Sequence, residues 1–84
     1  MDLKQKVTRA LTDEFQADRI ELDAEGGISG IVVAKRFRGH ESMDRQRMIY
    51  AALRKHRFTD DEIRQVLMIS ALTPEEASSY SIPQ

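Results

Sequence analysis

The sequence predicts an α+β domain with elements in the order α-β-β-α-α-β-α, its three-stranded sheet covered by helices on one face. Three observations predict it. Apolar residues recur at helical spacing in the first stretch and again after residue 42. Two strand-like runs flank the pair Gly26-Gly27, a tight-turn signal that makes them an antiparallel hairpin. A third apolar run follows two helical segments, and a strand, two helices and a further strand form one crossover unit that returns the last strand to the sheet.

Each element has its own justification. Over residues 2–16, Leu3, Val7, Leu11 and Phe15 recur every four residues, with Ala10 widening the stripe and Asp2 placed to cap the N-terminus. Residues 19–23 alternate as Arg19, Ile20, Glu21, Leu22, Asp23, the pattern of a strand with one buried face. Ile28 to Ala34 is the second strand, and its run Ile31-Val32-Val33-Ala34 reads as central. Gly30 inside it marks a bulge or a close backbone approach, and Gly39 in the following loop marks a positive φ. Phe37 is the apolar anchor of that loop. Ser42 is the expected cap of a helix from Met43 to Lys55, with Met43, Ile49, Tyr50, Ala52 and Leu53 as its buried stripe. Thr59-Asp60-Asp61-Glu62 is a capping box that opens a short helix ending near Arg64. Val66-Leu67-Met68-Ile69 reads as a strand buried on both faces. Thr73-Pro74-Glu75-Glu76 is a second capping box, with proline at the first helical position. Residues 1–78 are expected to form one domain and residues 79–84 a loose tail.

With 84 residues the chain has room for one small core. It has no cysteine, which removes disulfides, thiolate nucleophiles and thiolate metal ligands. The opening stretch lacks the unbroken apolar run of a signal peptide or a membrane span, and the protein is expected to be cytoplasmic and off the membrane. The net charge of −1 hides a segregation: residues 1–34 carry −3, residues 35–57 carry +6 and residues 58–84 carry −4. The basic block holds Lys35, Arg36, Arg38, Arg45, Arg47, Arg54, Lys55 and Arg57. Such a block is a candidate anion or phosphate surface, and it also suits a solvated face. Lys55 and His56 fall in a last helical turn, where cations favour the dipole.

Catalysis finds no support. His40 and His56 are sixteen residues apart, both expected to be exposed, and no nucleophile, base and orienting group converge. The acidic runs at 60–62 and 75–76 sit where helix N-termini favour negative charge. The GGISG run joins two strands, opens no helix and lacks the lysine and hydroxyl of a phosphate-binding loop.

The run IVVAKRFRGHESMDRQRMIYAAL, followed by VLMISALTPEEA, resembles the BolA family over roughly residues 4–77. Phe37, Gly39, Arg45, Arg47, Met48, Ile49, Tyr50, Thr73, Pro74 and Glu76 carry the match. The resemblance implies the same α-β-β-α-α-β-α order, similar to a class II KH domain. It also implies two kinds of function: DNA-binding regulation of transcription, stress response and morphology, and partnership with a monothiol glutaredoxin through a shared two-iron two-sulfur cluster. The departures are specific. Gln46 and Gln65 stand where the family has histidine ligands, Gly26-Gly27 stands where many members hold a histidine or cysteine, and Ala77 replaces a tryptophan. A glutamine amide is a poor iron ligand.

The first expectation is therefore a non-enzymatic nucleic-acid-binding regulator that uses Lys35, Arg36, Arg38, Arg45, Gln46, Arg47 and Arg54. The alternative is a non-catalytic adaptor that partners a monothiol glutaredoxin in iron–sulfur cluster assembly or trafficking. Neither needs a cofactor or metal of the chain's own, and a monomer or weak dimer is expected.

Overall fold

Residues 2–80 are described by the structure, a computed structural model. The elements are α1 (Leu3–Phe15), β1 (Arg19–Asp23), β2 (Ile28–Val33), α2 (Ser42–Lys55), α3 (Asp60–Arg64), β3 (Val66–Leu72) and α4 (Pro74–Tyr80), with a 3-10 turn at Lys35–Phe37 between β2 and α2. This is the predicted order in an α+β fold. The expected tail boundary falls inside α4, and residues 81–84 lie outside the described residues.

The sheet order is β1-β2-β3, with β1 antiparallel to β2 and β3 parallel to it. The register explains which face is covered. Ile20, Val32 and Ala71 lie in one row and Leu22, Gly30 and Ile69 in the next, and this face packs under α1 and α2. The rows between them hold Glu21, Ile31 and Ser70, then Asp23, Ser29 and Met68, on the open side. Period-2 alternation thus separates core from surface. The core is built from Val7, Leu11 and Phe15 of α1, Ile49 and Leu53 of α2, Val32 and Ile69 of the sheet, and Phe37 and Phe58 from the loops. Phe37 is fully buried, its ring centroid 5.0 Å from that of Phe15. Burying one such side chain contributes about 2–3 kcal/mol.

Gly30 proves to be a close approach: at φ +149° an added Cβ would sit 2.0 Å from the Glu21 carbonyl oxygen. The bulge lies next to it, where Ile28 pairs with Val66 but Ser29 pairs with Met68, so Leu67 is the extra residue. Gly39 has φ +79° and turns the chain from the 3-10 segment into α2.

Four expectations are corrected. Helix α2 begins at Ser42, capped by Glu41 without a side-chain hydrogen bond, so Ser42 lies within the first turn. Met43 is 70% exposed, not part of the buried stripe. β3 spans seven residues and is not buried on both faces, because Leu67 and Met68 are exposed. His56 is half-buried against Glu14, at 3.3 Å, not exposed. Asp2 accepts from the Gln5 amide, and both threonine capping boxes form as the sequence predicts.

Candidate binding surface

The basic block is contiguous in sequence, but its side chains face three different neighbours. Lys35 and Arg36 leave the 3-10 turn toward the end of α1, where Arg36 donates to the Glu14 carbonyl oxygen at 3.1 Å and lies 5.7 Å from the Phe15 ring centroid. Arg38 and Arg45 turn toward α4. Arg47 and Arg54 stand two helical turns apart on the outer side of α2, beside α3.

Arg45 is the most engaged of these cations. Its Nε donates to the His40 carbonyl at 2.7 Å, and its Nη1 donates to the Ala71 carbonyl at 3.0 Å and to Glu76 Oε1 at 2.6 Å. Its side chain is only 12% exposed. Glu76 also accepts from the Thr73 amide at 2.9 Å, the reciprocal bond of the capping box. The guanidinium, helped by that amide, pulls the Glu76 carboxyl down to about 2. Arg38 pairs with Glu75 in the same way and holds that carboxyl below its usual range. The family-like arginine and the second capping box are thus one construction that fastens α2 to α4 and the end of β3.

Gln46 continues the pattern. Its Nε2 donates to the Ile69 carbonyl at 2.8 Å, and Tyr50 Oη donates to the Val66 carbonyl at 3.3 Å. β3 is an edge strand, and the carbonyls of residues 66, 69 and 71 are met by three side chains of α2. An unpaired strand edge is a template for another strand, and these bonds close it. Gln65, at the end of α3, donates from Nε2 to the Asp61 carbonyl at 3.3 Å.

Two hollows open on either side of Gln46. One, of about 550 Å³, lies between α2, β3 and α4 and includes Arg45, Met68, Ser70 and Glu76. The other, of about 590 Å³, lies between α2 and α3 and includes Met43, Arg47, Tyr50, Arg54 and Ile63. Met43 and Met68, 70% and 63% exposed, stand on opposite sides of Gln46. Methionine is flexible and polarizable, and exposed methionines recur on surfaces that adapt to partners. Met43, Leu67 and Met68 are exposed although the sequence pattern places them in the core, because an apolar residue in an amphipathic helix or a short apolar run reads as buried.

Among the described residues Arg47 pairs with Asp44 alone, at 3.2 Å, and it is 72% exposed. Arg54 and Lys35 have no carboxylate partner among the described residues. Among those residues no group of three or more His, Cys, Asp or Glu side chains is arranged to hold a metal ion, and no helix is long and apolar enough to cross a membrane.

No family model and no curated protein matches the sequence. Solved structures do. A Bol-like protein from Babesia bovis superposes with a TM-score of 0.74 at 21% identity, covering 98% of this chain and 96% of that one. The BolA domain of SufE1 from Arabidopsis thaliana gives 0.71 at 22% identity, and BolA1 from the same plant gives 0.68 at 19%; each match covers 90% of this chain and 96% of the other. The chain therefore has the BolA fold, as the sequence resemblance anticipates. The shared iron–sulfur cluster that the resemblance implies does not fit the donors present. The two ligand positions hold amides, and each amide nitrogen is tied to a backbone carbonyl.

Proposed function

We propose that this BolA-fold chain is a small non-catalytic regulatory adaptor. It docks a partner protein, with a monothiol glutaredoxin the first candidate, and supplies no ligand to a shared cluster. The observation that carries the reading is the surface around Gln46. Two hollows and two exposed methionines flank a glutamine whose amide is spent on the Ile69 carbonyl. Apolar groups beside concave surfaces support docking, and an engaged amide argues against metal ligation. The test is a titration of the chain into a cluster-loaded monothiol glutaredoxin, followed by size and visible absorbance. Co-elution with an unchanged spectrum is expected. Absence of co-elution sinks the docking reading, and a new cluster band in the native chain sinks the claim about ligation. The double change Gln46→His with Gln65→His should add a cluster-dependent band to the complex.

Nucleic-acid binding is the second reading. It is favoured by Lys35, Arg36 and Arg54, cations that make no ion pair with a carboxylate among the described residues. Arg38 and Arg45, by contrast, are neutralised by Glu75 and Glu76. The number of phosphates engaged would be small, so the salt dependence of any DNA affinity should be shallow. Binding of duplex DNA at low salt, lost on Lys35→Glu with Arg36→Glu, would support it; no binding at low salt would end it.

A further inference from the structure

We propose that the hollow between α2 and α3 takes an acidic amphipathic helix of a partner protein, an inference that rests on the docking reading above. The floor is apolar and comes from two elements: Met43 and Tyr50 of α2, and Ile63 of α3. Its rim is basic. Arg47 and Arg54 are seven residues apart on one helix, so their backbone positions stand roughly 10 Å apart along the same side. Among the described residues Arg47 pairs with Asp44 alone, an exposed i,i+3 partner of the kind that is readily exchanged. Arg54 has no carboxylate partner among the described residues. The rim thus offers two cations at the spacing of carboxylates two turns apart on a partner helix.

The apolar floor decides between ligand classes. A helix that carries two carboxylates can bring an apolar side chain between them, over Tyr50 and Ile63, and remove that floor from water. A phosphodiester backbone offers no apolar group to match it. The Tyr50 ring is held in place because its hydroxyl donates to the Val66 carbonyl, so the floor exists before the partner arrives. The neighbouring edge of β3 is already met by Gln46 and Arg45, which disfavours strand addition there and leaves helix docking as the recognition mode.

The probe is a synthetic peptide of about four helical turns, with leucine along one face and two glutamates two turns apart, titrated into the isotope-labelled chain. Shift changes are expected at Met43, Arg47, Tyr50, Arg54 and Ile63, with affinity at least about tenfold above that of the same peptide carrying lysines. Arg47→Glu with Arg54→Glu should reverse the preference, and Met43→Ser should weaken both peptides about tenfold. Equal affinity for the two peptides, or shifts confined to other surfaces, overturns the proposal. So does duplex DNA that displaces the glutamate peptide from these same residues. If glutaredoxin co-elutes equally with the native chain and the Arg47→Glu, Arg54→Glu variant, the groove is refuted while the docking reading stands.

Discussion

Arg45 and Arg47 are two residues apart on α2, carry the same chemistry and have opposite surroundings. The inner side of the helix sends Arg45 and Gln46 into the carbonyls of β3, and Arg45 on to Glu76. The outer side leaves Arg47 at 72% exposure, and Met43 and Arg54 also exposed, around an open hollow. One face of a short helix is bonded to the rest of the fold and the other is exposed. A basic motif read as a single surface is therefore two, and only the exposed one can be changed without loosening the domain.

The largest effect should come from the inner face. Arg45→Ala removes bonds to two backbone carbonyls and one carboxylate, and it leaves the Ala71 carbonyl short of a donor. A loss of about 2–3 kcal/mol is expected in chemical denaturation. For a domain of this size that is roughly 10–20 °C in Tm. The same face should dominate acid sensitivity. Glu76 is held below its ordinary value by Arg45, so the pair contributes stability above that value and loses it as pH falls from about 4.5 toward 2. Glu75, Glu62 and Glu14 are displaced in the same direction by Arg38, Lys6 and Lys55, and they add to the loss as pH falls below the ordinary glutamate value. Glu76→Gln should flatten the stability profile below about pH 4.5 relative to the native chain; a profile unchanged in that range would contradict a stabilising Arg45–Glu76 pair.

Next in size is Gln46→Ala, which strands the Ile69 carbonyl and should cost about 1 kcal/mol in urea denaturation. The smallest effects on stability belong to the outer face. Arg47→Ala and Arg54→Ala should each stay within about 0.5 kcal/mol of the native chain, because Arg47 makes an exposed ion pair that contributes little and Arg54 is an exposed side chain with no carboxylate partner among the described residues. Their effect should appear in partner affinity instead, read by titration.

The sequence carried most of the scaffold because local chemistry there agrees with the fold. Gly26-Gly27, Gly39, both capping boxes and the alternation over residues 19–23 each act over a few residues, and each appears in the structure where the pattern puts it. Met43 shows where that reading ends. It lies six residues before Ile49, about 120° away around the helix, so it falls off the Ile49–Leu53 stripe although it is apolar. Met68 reads as core because a four-residue apolar run has no visible period. The bulge at Leu67 and the edge position of β3 are properties of pairing, which no single strand encodes. The pairing of Arg38 and Arg45 with Glu75 and Glu76 spans 37 and 31 residues, so charge counting along the chain could not reveal that those cations were already matched. Phe58 enters the core only because Arg57 takes a positive φ of 66° after α2 and redirects the chain.

The division between the two faces is tested most directly by calorimetric titration of a monothiol glutaredoxin into the native chain and into the Arg47→Glu, Arg54→Glu variant, with denaturation curves recorded on the same samples. The denaturation curves should overlay and the affinity should fall by about tenfold or more. Unchanged affinity in a stably folded variant, or affinity lost only when Lys35 and Arg36 are reversed, would contradict it.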